Sequence, residues 1–256
     1  MFQMMHQDGY MMEYKNMNAD YDIEKMVDIL ELDKDMISFN MDGSINYNGS
    51  IDVIHKKDLK KIEIKIKRVN GNFSISHSEL ESLENCPDYV NGSFHISFTK
   101  IKSLKGSPKK VGKSFGCGGN LLESLDGCTQ YIPKEFVCSH NKLKNLIGGP
   151  SFVGESYYAN DNEIISFEGA PKMIPETFYI PNNKLKTFEH CPKFIGGRFN
   201  CSHNDFENLD NFPQIVGRSV FYSGKKKTIT REMINSVCSI GEQLVTSDGL
   251  EWWLED

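Results

Sequence analysis

The residues of this chain that could carry chemistry are its seven cysteines and seven histidines. Six cysteines fall into two sets whose members lie multiples of 21 residues apart: Cys117, Cys138 and Cys201, and Cys86, Cys128 and Cys191. Zinc sites use close pairs such as C-x-x-C, so this spacing argues against a metal site. It favours small buried apolar residues that recur in a repeat.

Three histidines, His77, His140 and His203, are separated by 63 residues, which is three repeats of 21. If each repeat adds one strand, roughly 14 Å separates each pair, which is too far for a shared ion. The pattern is typical of exposed turn residues. The sequence also contains no nucleophile elbow, phosphate loop or H-E-x-x-H helix. We therefore predict no enzymatic activity, no cofactor and no small-molecule substrate.

These residues are positioned by a repeat of 21 residues that runs through most of the chain. The first position of the unit is aromatic in seven consecutive units and valine in the next: Phe73, Phe94, Phe115, Phe136, Tyr157, Phe178, Phe199 and Val220. Self-similarity at such a period predicts a solenoid. An irregular unit precedes the array, with one extra residue in the loop after Ile51.

The other recurring positions predict how each unit folds. Apolar or small residues recur at positions 3, 8, 11 and 18, asparagine at position 6 of the last five units, and proline at position 15 of six. Positions 1 and 3 share one face of a strand, so both side chains should point inward. The asparagine should bond the backbone of a neighbouring turn, and the proline should impose an extended back wall. We expect the strands to be parallel and to form one sheet.

The sequence pattern F-x-C-S-x-N-x-L-x-x-L-x-x-x-P resembles the leucine-rich repeat signature L-x-L-x-x-N-x-L. The length of the repeat is similar to that of the repeats in short-repeat bacterial effectors. Its sequence pattern resembles that of the repeat proteins of large DNA bacteriophages. This resemblance covers about residues 50–224, with Ser78 and Thr99 replacing the asparagine. It implies an α/β-type, mostly β solenoid with a right-handed leucine-rich-repeat-like coil and a concave sheet face that binds proteins.

Residues outside the array are expected to close its ends, because a solenoid otherwise exposes an open core. We assign residues 1–21 to a flexible segment, 22–48 to an N-terminal cap, 49–224 to the solenoid and 225–256 to a C-terminal cap. The N-terminal cap should contain a helix over 22–32, with Asp22 as its N-cap, and a hairpin turning at Asp42-Gly43. A helix, either continuous or interrupted at Gly241, is expected over 228–245. Trp252 and Trp253 either dock onto the last turn or form a hook for a partner.

The charge distribution restricts the possible partners. The net charge is −6, but residues 1–43 carry ten acidic groups and three lysines, so the remainder is about neutral. General nucleic-acid binding needs a basic face and is therefore disfavoured. The basic run over 55–68 is either a phosphate patch or, more simply, a solvated face opposite the acidic segment. The sequence has no apolar run of membrane-spanning length and no secretory signal, which with the cysteine usage predicts reduced thiols in a cytoplasm, the host cytoplasm if the protein is viral.

The candidate binding surface is the outer face of the sheet, where side chains are not required by the core. It comprises His95, Val137, Tyr158, Tyr179, Asn200 and Phe221 at position 2, with His140, Asp161 and His203 at position 5. Clustered exposed aromatics are typical of protein-binding sites, although cross-strand packing alone could also explain them. Together with the resemblance, which implies a phage-type protein, this predicts a module that binds and modulates or inhibits a host protein, with host defence proteins among the candidates. The alternative is a structural or virion-associated protein that self-associates through its ends.

Overall fold

The chain winds as a parallel-strand β-solenoid of about nine turns with a 21-residue repeat spacing. The structure is a computed structural model, and it describes residues 4–5, 11–12, 17–223 and 231–246. The fold is mostly β with few helices, as the repeat predicts. The predicted flexible segment, residues 1–21, falls mostly outside the described residues.

The N-terminal region combines one helix with two short hairpins. Its elements are β1 Met4–Met5, β2 Met11–Met12, α1 Met17–Ile29, a 3-10 turn Lys34–Met36, β3 Ile37–Phe39 and β4 Ile45–Tyr47. The helix begins five residues earlier than predicted, so Asp22 lies inside it rather than at its N-cap. The predicted hairpin is confirmed, because β3 and β4 pair antiparallel. Its connection is longer than two residues, and the Asp42 carboxylate accepts a hydrogen bond from the Ser44 amide at 3.1 Å.

The helix α1 packs against the same core as the repeats. Met26, Val27 and Leu30 are each at most 3% exposed and belong to the continuous hydrophobic cluster. The basic run meets acidic residues of the N-terminal region at two points, Lys56–Glu31 at 2.7 Å and Lys67–Asp42 at 3.9 Å. The prediction that this run faces the acidic segment is thereby confirmed for these pairs.

The remaining strands alternate between two walls of the solenoid. In chain order the first are β5 Ile51–Ile54, β6 Ile66–Val69, β7 Phe73–Ser76, β8 Tyr89–Val90, β9 Phe94–Ser97, β10 Lys110–Val111, β11 Phe115–Gly116, β12 Tyr131–Ile132, β13 Phe136–Val137 and β14 Phe152–Val153. The next are β15 Tyr157–Tyr158, β16 Met173–Ile174, β17 Phe178–Tyr179, β18 Phe194–Ile195, β19 Phe199–Asn200, β20 Ile215–Val216, β21 Ser219–Tyr222, β22 Ser239–Ile240 and β23 Gln243–Thr246. Odd-numbered strands from β5 onward form one ten-stranded sheet, the front sheet. Even-numbered strands from β4 onward form the back wall.

The front sheet pairs equivalent residues of successive turns in parallel register. Phe73 lies opposite Phe94, and Phe178 lies opposite Phe199. The position-1 rings are fully buried, and neighbouring rings contact one another, as in Phe73–Phe94 with centroids 5.5 Å apart. Apolar burial of this column in every turn supplies the driving force that holds the turns in register.

The predicted bonding of the position-6 asparagines to the backbone of a neighbouring turn is confirmed, and we call this column of stacked side chains the asparagine ladder. The Asn183 side-chain amide donates to the carbonyls of Ala159 in the preceding turn, at 3.0 Å, and of Pro181, at 3.2 Å. Its Oδ1 accepts from the Ile164 amide at 3.0 Å. Asn141, Asn162 and Asn204 repeat this arrangement. Each asparagine thus satisfies backbone groups that the bend leaves without a ladder partner.

The expectation of one parallel sheet is wrong, because positions 17 and 18 form a second set of parallel strands. This back wall is divided into sheets of five, two and four strands, the first of which includes the antiparallel β3. At position 19 the amide of most turns donates to the preceding turn, as from Gly154 to Ile132 at 2.9 Å. The two divisions coincide with Pro133 and Pro175, which occupy this position and have no amide hydrogen to donate.

Two left-handed positions in every turn explain why certain residues recur. Position 5 has positive φ in each unit: His77, Phe98, Gly119, His140, Asp161, Asn182 and His203. Position 13 behaves likewise: Asn85, Gly106, Gly127, Gly148, Gly169, His190 and Asn211. Asn, Asp, His and Gly adopt this conformation more readily than other residues. The regular spacing of the histidines therefore has a backbone cause.

The expected helix over residues 228–245 is wrong over most of its length. Within the described residues, α2 spans only Arg231–Val237, and the chain then returns to both walls through β22 and β23. Ile240 pairs with Val216, and Leu244 pairs with Val220. The apolar residues after α2 therefore continue the core columns rather than the face of a helix. Trp252 and Trp253 lie outside the described residues.

Candidate functional site

The outer face of the front sheet is built from positions 2 and 4 of each strand, because positions 1 and 3 point into the core. From the first regular turn to β21, these positions are occupied by Ser74, Ser76, His95, Ser97, Gly116, Gly118, Val137, Ser139, Tyr158, Asn160, Tyr179, Pro181, Asn200, Ser202, Phe221 and Ser223. Lys, Arg, Asp and Glu do not occur among them. Other outward positions, such as 7, 9 and 12, carry most of the charged residues of the repeats.

Four of the nine candidate residues come together at one depression of about 410 Å³, which we call the aromatic depression. Its lining residues are Val137, Ser139, His140, Tyr158, Asn160 and Tyr179. Tyr158 and Tyr179 are half-buried neighbours with ring centroids 6.1 Å apart and planes tilted by 51°. Two rigid rings beside polar groups provide both apolar contact area and directed hydrogen bonds to a ligand.

A polar network borders the aromatic depression on the position-5 side. The Asp161 carboxylate accepts a hydrogen bond from the Asn182 amide at 2.9 Å and another from Asn160. It lies 3.6 Å from Nε2 of His140, so the two form an ion pair when the imidazole is protonated. Ser139 Oγ donates to Oδ1 of Asn160 at 2.6 Å. These bonds fix the positions of side chains that a partner would contact at the edge.

His95 lies in a second depression of about 280 Å³, lined also by Ser74, Ser76, Ser97 and Val137. A Cβ added at Gly116 would come within 2.8 Å of Cδ2 of His95, so the imidazole occupies space that any larger residue would fill. Partial burial lowers the pKa of His95, although Glu135 and Asp52 oppose this shift. The neutral imidazole, which both donates and accepts hydrogen bonds, is therefore favoured.

The other candidate residues extend the face without entering either depression. Asn200 is the strand neighbour of Tyr179, and Phe221 is the neighbour of Asn200. Oδ1 of Asn200 accepts from the hydroxyl of Ser202 at 2.7 Å. His203 is exposed at the position-5 edge, two turns beyond Asp161. Tyr158, Tyr179, Asn200 and Phe221 thus form a continuous row across four strands.

The cysteines pack in the core as predicted. All seven are buried and free of disulfides. Burial raises the pKa of every one of these thiols, to about 12 for Cys86. A protonated, inaccessible thiol is a poor nucleophile and a poor metal ligand. Within the described ranges, no cluster of three or more His, Cys, Asp or Glu side chains is arranged to hold a metal ion.

Two surface features were missed by the sequence reasoning. His55, His77 and Phe98 stack along the position-5 edge, with successive ring centroids 4.8 and 4.9 Å apart. The extra residue of the first unit displaces His55 from the regular spacing and hid this contact. The second feature is an apolar row at position 17 of the back wall, which the same 21-residue comparison would have found had outward positions been compared there.

No protein-family model matches the chain, and no curated protein sequence matches it. What places the protein in a class is therefore its own geometry, that of a parallel β-solenoid whose front face carries no Lys, Arg, Asp or Glu at positions 2 and 4 from β7 to β21. Within the part of the chain that is described, no helix combines the length and the apolar character needed to cross a lipid bilayer.

Proposed function

We propose that this protein is a non-catalytic recognition module that binds another protein through the outer face of its front sheet. The observation that carries the proposal is the composition of that face. From β7 to β21 its residues are mainly Ser, Gly, Asn and Tyr, with no Lys, Arg, Asp or Glu, and the one charge beside them is Asp52 on β5, on a surface that is otherwise strongly charged. Depletion of charge is typical of interface cores, and the same four residue types dominate antibody paratopes.

The geometry of the face supports a protein rather than a small molecule as the ligand. Both depressions are shallow and open, whereas small-molecule sites enclose most of the ligand surface. The row from Tyr158 to Phe221 crosses four strands, so it spans about 14 Å at the usual strand spacing. In this proposal Tyr158 and Tyr179 are the anchors, and Asn160, His140 and Asp161 supply the polar edge.

We also propose a handedness for the coil and a class of partner protein. The sequence pattern of the repeats resembles leucine-rich repeats and the repeat proteins of large DNA bacteriophages. This resemblance favours a right-handed coil and a bacterial host protein as the partner. Binding would then block or modulate that protein in the host cytoplasm. This part rests on the resemblance of the repeats alone.

The test begins with affinity capture from bacterial lysate, followed by mass spectrometry and binding measurements with the purified partner. The test variant is Tyr158→Ser with Tyr179→Ser, and the control is Ile165→Ser, which alters an apolar residue that is 59% exposed at position 9. An aromatic anchor contributes about 2 kcal/mol, so we expect each tyrosine change to weaken binding roughly 30-fold. Equal affinity of the double variant and the control, with both folded by circular dichroism, would exclude the front face.

A further inference from the structure

The back wall exposes a row of large apolar side chains that the core does not use. At position 17 of five consecutive turns stand Tyr131, Phe152, Met173, Phe194 and Ile215, with exposed fractions of 59, 41, 51, 38 and 46%. We call this row the apolar stripe. The residues that follow them at position 18 are buried and fill the core, so the stripe is not needed for packing.

The stripe is large for a surface that faces water. With about 200 Å² for each large side chain, the exposed fractions amount to roughly 450 Å² of accessible surface. Contiguous apolar patches of this size are among the largest on monomeric proteins and are frequently interaction sites. Stacking within the stripe does not remove it from water. The rings of Tyr131 and Phe152 are parallel within 5° and 4.6 Å apart, yet both residues remain exposed.

We propose that a second copy of this chain covers the apolar stripe, in a dimer whose two-fold axis runs parallel to the stripe. The charges that flank the stripe select both the occupant and the orientation. Lys172 and Lys193 each precede a stripe residue by one position, and Glu155 and Glu176 each follow one by three. Lys134 and Arg218 stand at the same position after Tyr131 and Ile215, so the acidic flank is confined to the middle of the stripe, where it lies on the side opposite the basic flank.

A two-fold axis parallel to the stripe brings the basic flank of one copy against the acidic flank of the other. Lys172 then faces Glu176 of the second copy, and the same contact occurs twice by symmetry. An axis perpendicular to the stripe at Met173 would instead oppose Lys172 to Lys172 and Glu176 to Glu176, which is repulsive. Neither Lys172 nor Glu176 takes part in an ion pair among the described residues, whereas Glu155 is bound to Lys134 at 2.9 Å.

The accessible surface that such a dimer would bury is small for a specific interface. Two stripes bury roughly 900 Å² in total, and the flanking residues bring this to the lower end of the 1,200–2,000 Å² typical of specific interfaces. Small interfaces are commonly weak or transient, so we expect the dimer to dissociate on dilution. The stripe lies on the back wall, so the dimer leaves the front face of both copies open to a partner.

Sedimentation velocity of the full chain from 1 to 200 µM tests the dimer directly. The mass should rise with concentration from 29.2 kDa towards twice that value. Met173→Glu, at the centre of the stripe, should weaken association at least tenfold. Ile165→Glu places the same charge at an equally exposed apolar site on another face and should leave association unchanged. Thermal unfolding by circular dichroism verifies that both variants remain folded.

Charge reversal tests the orientation. Lys172→Glu should weaken the dimer, because it opposes two carboxylates, and addition of Glu176→Lys should restore it. Loss without restoration would refute the parallel axis. A wild-type chain that is monomeric at 200 µM, or equal effects of Met173→Glu and Ile165→Glu, would overturn the dimer. Wild-type chain that stays monomeric and floats with anionic phospholipid vesicles would assign the stripe to a lipid surface instead.

Discussion

Raising the pH to 10 in the presence of a reductant should abolish most of the stability of this protein. The cause is the set of cysteines in the core. All seven are buried with pKa values raised above the ordinary thiol value of 9.0 chiefly by loss of hydration: Cys86, Cys117, Cys128, Cys138, Cys191, Cys201 and Cys238. The folded chain keeps these thiols protonated, whereas the unfolded chain releases their protons above pH 9.

The sign of the effect follows from proton linkage. A group whose folded pKa is raised stabilises fully below its unfolded pKa, and this contribution is lost as the pH rises towards the folded pKa. At pH 10, one unit above the ordinary value, each thiol favours the unfolded chain by about 1.4 kcal/mol. Seven thiols together cost about 10 kcal/mol, which is comparable with the 5–15 kcal/mol stability of a typical protein.

The assay is urea unfolding followed by circular dichroism at pH 7.5, 9.0, 9.5 and 10.0. The free energy of unfolding should be constant up to about pH 8.5 and then fall with increasing slope. Cys201→Ala serves as the matched control, because the equivalent position of an earlier turn is already Ala159. It should release one proton fewer on unfolding at pH 10 and so flatten the slope by about one seventh. A free energy that is the same at pH 7.5 and pH 10 would refute the assignment of these thiols to a dry core.

Two further predictions concern single core positions. Asn183→Ala removes the acceptor for the Ile164 amide and the donor to the preceding turn, so it should cost about 2–4 kcal/mol in urea unfolding, whereas Lys184→Ala on the adjacent exposed site should change stability by less than about 0.5 kcal/mol. Tyr157→Phe should raise stability by about 1 kcal/mol, because the buried Tyr157 hydroxyl lies beside the Cys138 thiol without a hydrogen bond of ordinary geometry. A loss of stability in Tyr157→Phe would show that this contact is favourable.

The front sheet and its asparagine ladder could be predicted because the same physical requirement recurs in each turn. A buried ring at position 1 and an asparagine at position 6 are needed wherever the chain bends, so both recur at a fixed spacing. The back wall lacked such a signal, since its strands from β8 onward are two residues long and their outward residues range from Lys110 to Phe152. Strands this short are defined by their pairing with the neighbouring turn. The alternation of apolar and polar residues within one segment does not reveal this pairing.

The C-terminal error has a different cause. The segment from Ile240 to Val245 (IGEQLV) repeats the chemistry of Val216 to Phe221 (VGRSVF), but at a spacing of 24 residues rather than 21. The preceding helical pattern was extended through Gly241, so the return of the chain to the solenoid was missed. Strict periodicity finds uniform turns, and it fails where a helix such as α2 is inserted into one.

The candidate site was only partly predictable, for a reason that applies to both walls. Register assigned Tyr158 and Tyr179 to adjacent strands, but the depression beside His95 exists because Gly116 has no side chain to fill it. Concave space depends on the sizes of neighbours in three successive turns, which a column-by-column comparison does not combine. The polar network around Asp161 likewise depends on rotamers rather than on spacing.

The positions that vary between turns give both proposals a common physical basis. Position 17 changes from Lys110 to Tyr131, and one repeat later position 2 changes from Gly116 to Val137. Core columns remain uniform across this change, so coil stability does not demand it. Apolar side chains thus accumulate on both the front face and the back wall. Each of these two surfaces would be removed from water, and so stabilised, by burial in an interface. Because the walls are separate, a substitution at Tyr158 tests one surface and a substitution at Met173 tests the other without altering both.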